Sequence, residues 1–500
     1  MRNRPLVVQN IFVPTVTDDE TQLKDIWIAD GKIVEIGSAE ELGPIPESAK
    51  TIDASGLAVV PSFINAHTHS HFAFGRGYGD LWTLELHLNS GGGLNYGATL
   101  DDMKLMAQLN AADMIRYGCT AAYDMVVQTP FTSIDGMRAV AAGYEKVGIK
   151  AVVAATVTDK TFWQAIPNLI ESLDAEEAQW VSSLAQADSA QHLKQLRKTL
   201  TDWDHGNNNI TLGLAPSIPL LSSDELLDGV AQLAHEFNVP IQTHLAESKI
   251  QALMAERRWG CSIVEHLSNI GFLTKKTSVA HAIWVDDEDI AILANTGVSV
   301  AHNPASNMRL GNGVAPIEAM LKAGVNVGIG TDACSCADQQ NMFDAMRLAS
   351  YSSRIQGPNP SYWLPSQQVF QMATQGSAKV LGLSNTGKIE KGQVADLVFL
   401  DLKDLAYLPL NNFWNQLVFS DSGSSVQHVM VNGEFIYKDR KYTQFDYDEL
   451  YGQVKAAAER IKTQAKGRRK RFKNLESAVS LFCVGLAEST YPIDRYLSRV

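Results

Sequence analysis

The sequence predicts a mixed α/β fold: a (β/α)8 TIM-type barrel inserted into a small β-sandwich that both chain ends build together. Three observations carry this. Between residues 61 and 384, β-prone and helical segments alternate, and strands can be read at 62–66, 119–123, 149–155, 211–215, 239–244, 278–281, 298–301 and 325–330. Those are the eight that a closed parallel barrel needs. Second, the residues able to do chemistry stand at the ends of these strands, and in such barrels the strand tips converge on one face. Third, both ends of the chain are rich in short strands, and neither end has enough of them to close a core alone.

The N-terminal strands are read at 6–12, 25–29, 32–36 and 58–60, with Asp30-Gly31 as a hairpin turn between alternating segments. The C-terminal partners are 396–400, 426–431 and 434–437, the last two joined by Asn432-Gly433. The division that follows is 1–60 with 385–450 as the composite sandwich, 61–384 as the catalytic barrel and 451–500 as a C-terminal helical extension. Inside the barrel, Thr99 caps a helix with Asp102 at its third position and apolar residues at helical spacing as far as Ile115. Residues 366–381 form a second amphipathic helix that stops at Gly382.

The first barrel strand ends in His67-Thr68-His69. With a period of two, both imidazoles point the same way and can share a divalent metal. Later strands end in His244, with Glu247 three residues on, in His281, and in Asp332. Three histidines and a carboxylate with acid/base groups beside them suit a catalytic zinc-type site that keeps a position for water. The loop 72–98 carries Arg76, Tyr78, Trp82, Glu85, His87 and three successive glycines, and Phe162 and Trp163 follow the third strand. Loops this long are usually lids or binding segments, so both read as pocket walls.

These segments, together with His302-Asn-Pro-Ala-Ser-Asn307, Gly330-Thr-Asp-Ala333 and the stretch 388–397, resemble the amidohydrolase superfamily over roughly residues 5–450. They look most like its branch of metal-dependent deaminases and chlorohydrolases: cytosine, guanine and S-adenosylhomocysteine deaminases and the s-triazine hydrolases. The resemblance implies one divalent metal on His67, His69, His244 and Asp332. Zinc is the first expectation, and Fe2+, Mn2+ or Ni2+ suit the same donors. No lysine stands where other branches bridge two metals. The resemblance also makes Glu247 the proton shuttle, His281 the group that orients or deprotonates the attacking water, and Asp332 both ligand and base. Trp82, His87, His302 and Asn303 are the candidate substrate contacts, while His71 reads as a loop or supporting residue.

The implied function is an aminohydrolase, in which metal-activated water displaces ammonia or an amine from a heterocycle. Glu247 favours an amine leaving group, which needs a proton, over chloride, which does not. Hydrolysis of another C–X or amide bond, such as triazine dechlorination, is the alternative, and the complete ligand set argues against a non-enzymatic scaffold. The stretch 89–100 has no acidic residue to hold ribose hydroxyls, which favours a free base, pterin or triazine over a nucleoside.

Composition agrees with a small-molecule enzyme. A formal charge of −13 disfavours nucleic acid, and no run approaches the 18 or so apolar residues of a membrane span. The N-terminus does not read as a signal peptide, and five scattered cysteines do not suggest a disulfide scaffold. A cytoplasmic homo-oligomer is the expectation. Cys334 and Cys336 read as packing residues rather than ligands. The basic run 466–473 reads as a solvated helix end or a subunit contact rather than a nucleic-acid or membrane patch.

Overall fold

A computed structural model describes residues 5–14, 23–129, 131–184, 186–205 and 209–496. The extreme N-terminus, on which the signal-peptide reading rests, lies mostly outside them. The first strands are β1 (Leu6–Phe12), β2 (Leu23–Ala29), β3 (Lys32–Gly37), β4 (Lys50–Asp53) and β5 (Leu57–Pro61). The barrel follows with β6 (Phe63–Thr68), β7 (Cys119–Val126), β8 (Lys150–Val157), β9 (Ile210–Pro216), β10 (Ile241–Leu245), β11 (Thr277–His281), β12 (Ser299–His302) and β13 (Asn326–Ile329). The chain then returns through β14 (Leu397–Asp401), β15 (Val426–Val431), β16 (Glu434–Lys438) and β17 (Lys441–Tyr442), and ends in a 41-residue helix, Tyr447–Ala487.

The eight barrel strands pair in parallel, each with its chain neighbour, from β6 to β13. A parallel bridge between Thr68 and Asp332 joins the two ends of that sheet. The bridge sits at the strand tips, so the same backbone contact that closes the ring brings His67, His69 and Asp332 together. The barrel interior is filled largely by alanines, among them Ala66, Ala121, Ala154, Ala215, Ala280 and Ala301, around the fully buried Tyr123. Helices cover the outside, and the predicted Thr99–Asp102 capping box is present. The helix expected at 366–381 is interrupted by a π-helical turn at Met372–Gly376. There Gly376 lies so close to β13 that a Cβ would meet the Val327 carbonyl at 2.1 Å.

The two chain ends form one continuous nine-stranded sheet. Its centre is the antiparallel pairing of β5 with β14, Val59 opposite Phe399. Residues from both sides of that pairing, including Ile26, Ile28 and Ile33 on one side and Met430 on the other, share one apolar cluster with Phe399, so the sheet curls over itself and encloses a core as a sandwich does. The turns Asp30-Gly31 and Asn432-Gly433 lie against each other, with both glycines at positive φ. A buried ion pair, Lys150 Nζ to Asp396 Oδ2, ties β8 to this sheet, and Asp396 also accepts from the Asn432 amide at 2.8 Å.

Candidate active site

The site is built on the tips of β6, β10, β11 and β13. His67, His69 and His244 bring one ring nitrogen each into a group whose ligand atoms lie within 4.8 Å of one another, and His67, His281 and Asp332 form a second such group. All five side chains are buried. The other nitrogen of each imidazole fixes its orientation. His67 Nδ1 donates to Gln242 Oε1 at 2.7 Å, His69 Nδ1 to the Met125 carbonyl at 2.9 Å, and His244 Nδ1 to the Ser217 carbonyl at 2.5 Å. With Nδ1 protonated, Nε2 carries a lone pair facing the centre.

The spacing fits a metal. Bonds of about 2.0–2.1 Å at tetrahedral angles put neighbouring donors about 3.3 Å apart. His69 Nε2 and His244 Nε2 are 3.1 Å apart, and Asp332 Oδ1 is 3.5 Å from the Nε2 atoms of both His67 and His69. The protonation states fit as well. Burial pushes His69 down to about 3 and His281 to about 4, and with the neighbouring histidines holds His244 well below its ordinary value. Burial alone would raise Asp332; the neighbouring histidines, His67 foremost, outweigh it and hold this carboxyl well below the usual range. His69, His244 and His281 are therefore driven toward the neutral imidazole and Asp332 toward the carboxylate, the forms that coordinate a cation.

Glu247 lies just outside this set. Its Oε2 is 3.7 Å from His281 Nε2, and its Oε1 accepts from Asn312 Nδ2 at 3.1 Å. Burial, with the negative charges of Asp332 and Glu85, holds its carboxyl well above the ordinary range. His281 donates Nδ1–H to Asn307 Oδ1 at 2.8 Å, and its Nε2 is 3.8 Å from Asp332 Oδ2. Ala246, His281, Ala282 and Asp332 all have positive φ without being glycine. Such strained conformations persist only where the surroundings fix them, and they concentrate at functional sites.

The four candidate substrate contacts divide. His302 and Asn303 are buried, and among the described residues neither ring nitrogen of His302 and neither side-chain polar atom of Asn303 has a hydrogen-bond partner. His87 is already engaged, with Nε2 bonded to Ser335 Oγ at 2.9 Å and its ring facing Phe72. Trp82 donates Nε1–H to Glu476 on the C-terminal helix at 3.2 Å. His71 is buried beside His69, its ring 5.4 Å from that of His69 and both nitrogens unpartnered.

The loop 72–98 contains a helix, Leu84–Gly91, capped by Thr83, and the C-terminal helix packs on it. Part of the basic run serves that contact. Arg469 donates to the carbonyls of Gly93 at 3.1 Å and Leu94 at 2.7 Å and to the Tyr78 hydroxyl. Arg468 lies over the Tyr96 ring. Neither a solvated helix end nor a subunit contact, the two sequence readings, accounts for these bonds. Cys334 and Cys336 are buried packing residues, as expected, with Cys334 bonded to Arg76 and Gln340.

Sequence reasoning missed four residues. Gln242 is two positions before His244, on the same face of β10, and that period was a usable signal. Asn307 closes a motif whose first residues were singled out. Asn312 gave no local signal. Glu85 was read only as part of a pocket wall, yet it is buried and accepts from Ser248 Oγ at 2.8 Å, beside Glu247.

A model of the amidohydrolase family matches residues 58–436. A 5'-deoxyadenosine deaminase of Methanosarcina barkeri is 32% identical over 474 residues, covering 92% of this chain and 99% of that protein. A 5-methylthioadenosine/S-adenosylhomocysteine deaminase of Thermococcus onnurineus is 32% identical over 87% of this chain and 95% of its own length. Among solved structures, a zinc complex of atrazine chlorohydrolase from Arthrobacter aurescens superposes with a TM-score of 0.79 at 24% identity, covering 91% of this chain and 100% of that one. A zinc-bound adenosine deaminase from Xanthomonas campestris gives 0.77 at 23% identity, over 92% and 98%. Among the described residues no helix is long and apolar enough to cross a membrane.

Proposed function

Because the chain belongs to the amidohydrolase family, we propose that it is a metal-dependent aminohydrolase that deaminates an aminopurine, with zinc on His67, His69, His244 and Asp332. The observation that carries this is the convergence of these four buried donors with Glu247, a buried carboxyl 3.7 Å from His281 whose pKa burial raises. A bound divalent ion supplies Lewis acidity and lowers the pKa of water to about 7.

The chain's own residues manage the protons. Glu247 delivers its proton to a ring nitrogen as the water oxygen adds to the carbon bearing the amine. His281, with Nδ1–H committed to Asn307, accepts from that water through Nε2 and aims it. Asp332 takes the water proton on its oxygen toward His281. Asp332 passes that proton to the amine, Glu247 recovers one from the hydroxyl of the adduct, and as the carbonyl forms the C–N bond breaks and ammonia leaves. His302 and Asn303, buried and unpartnered, bind the heterocycle.

The relatives named for deaminating adenosine derivatives weigh toward a purine and against the pterin or triazine that the acid-free stretch favoured. Self-association is supported by Leu481 and Val484, exposed on the C-terminal helix, and by Leu81 on the adjoining loop; sedimentation velocity tests it. The enzyme test measures ammonia release by zinc-loaded protein from adenine, adenosine and 5'-deoxyadenosine, with chloride release from a chlorotriazine as a second arm. Chloride without ammonia would replace the deaminase reading by the dechlorination one.

A further inference from the structure

The Glu247 carboxyl accepts a hydrogen bond from Asn312 Nδ2 at 3.1 Å, and the loop that carries Asn312 is itself held by residues beyond the C-terminal helix. Trp284, three residues past His281, donates its indole N–H to the Asn312 carbonyl at 2.8 Å. Beyond the C-terminal helix, Arg495 donates from Nε to the Ile283 carbonyl at 3.1 Å and from Nη2 to the Val285 carbonyl at 2.5 Å. Its own carbonyl accepts from the Val314 amide at 2.9 Å. Tyr496 meets the Trp284 ring edge-on at 4.9 Å. Gly313 sits between these contacts at φ +113°, and a Cβ there would lie 2.9 Å from the Arg495 carbonyl oxygen. One residue thus joins the segment 283–285, which follows β11, to the loop 312–314. A donated bond fixes a carboxyl only as well as the donor's own backbone is fixed, and Arg495 shares that task with Asn307, whose carbonyl accepts from the Asn312 amide at 2.9 Å, and with Trp284.

We propose that Arg495 is a positioning residue for Glu247, acting through the Asn312 loop; this rests on the reading of Glu247 as the proton shuttle. No contact between Arg495 and substrate is required. The test is a double-mutant cycle on the full-length, metal-loaded enzyme. Arg495→Ala should leave metal content and KM unchanged and lower kcat by about 10- to 100-fold, the scale of a small misplacement of a catalytic group. In a Glu247→Gln background the same change should cost less than about twofold, because the group it positions is already gone. Equal losses in both backgrounds, or an unaltered kcat in Arg495→Ala, would overturn the proposal.

Where Arg495→Ala does not fold, Arg495→Lys carries the cycle. It keeps the charge but loses the fork that reaches two carbonyls, so its kcat should fall between those of wild type and Arg495→Ala, again only when Glu247 is present. Amide exchange separates this proposal from the deaminase reading. Exchange in 311–315 should rise in either variant while the barrel strands stay protected. A wild type that releases no ammonia from any purine refutes the deaminase reading. Unchanged protection of the Val314 amide in the variants refutes the strap, whatever the enzyme is found to hydrolyse.

Discussion

Gln242→Leu is the sharpest test of how the metal site is held. In the native site Gln242 Nε2 donates to the Ala66 carbonyl at 3.0 Å and to Ser278 Oγ at 3.0 Å. Those two bonds fix the amide so that Oε1 faces His67 Nδ1 at 2.7 Å. Leucine has similar bulk and no acceptor. His67 then either buries an unsatisfied N–H, at a cost of about 1–3 kcal/mol, or moves its proton to Nε2 and ceases to be a ligand. Loss of such a supporting partner typically costs about 10–100-fold in metal affinity, or about 1.4–2.7 kcal/mol. Competition with a chromophoric chelator measures the affinity, and thermal unfolding of the metal-free protein measures the remaining cost. Gln242→Glu is the control, since its carboxylate still accepts from His67 and should retain most of the affinity. A folded Gln242→Leu protein that binds metal within twofold of wild type would refute the assigned tautomer of His67.

Four further outcomes follow from the same geometry. Glu247→Gln should keep its metal and lose about 10²–10⁴-fold in kcat, with a smaller loss on a chlorinated analogue; normal deamination by this variant would assign the shuttle elsewhere. His67→Ala or Asp332→Ala should lose the metal without melting the nine-stranded sheet, read as near-zero stoichiometry by elemental analysis and retained circular dichroism. Burial holds His302 down to about 3 in the folded protein, below its ordinary 6.5. The unfolded chain therefore binds the extra proton first, and stability should fall as pH drops from about 6.5 toward 3, by up to about 1.4 kcal/mol per pH unit. His302→Gln in the metal-free protein should flatten that slope in denaturant titrations. Lys150→Met should lower stability by about 3–5 kcal/mol, because it leaves Asp396 buried without its cation; a midpoint shift near zero would mean that water reaches Asp396.

Local pattern was enough to read what local pattern controls. The barrel strands were legible as short β-prone runs alternating with helices, four of them leading into His67, His244, His281 and Asp332, and the two hairpins because Asp30-Gly31 and Asn432-Gly433 supply residues that accept positive φ. His67, His69, His244, His281 and Asp332 were legible because the barrel topology alone brings strand tips together. Glu85 and Asn312 were not, since each acts through a partner far away in sequence: Glu85 through Ser248, and Asn312 through Glu247. The helix Leu84–Gly91 hid between glycine-rich flanks, and its Thr83 cap has no acidic or amide residue at the third position to complete a capping box. The π-helical turn at Met372–Gly376 was invisible for another reason. It answers the close approach to Val327, and nothing in a helical repeat encodes a neighbour's carbonyl.

The pairing of β5 with β14 has a consequence for the chain as it is made. Val59 emerges from the ribosome more than three hundred residues before its partner Phe399. During that interval one edge of β5 has no mate, although its side chains belong to two apolar clusters. Distant pairings of this kind are slow to form and leave strand edges open to the wrong partner. The whole barrel must be synthesised while the N-terminal strands wait, so the yield of native protein should depend on chaperone supply more strongly than the stability of the finished fold would suggest.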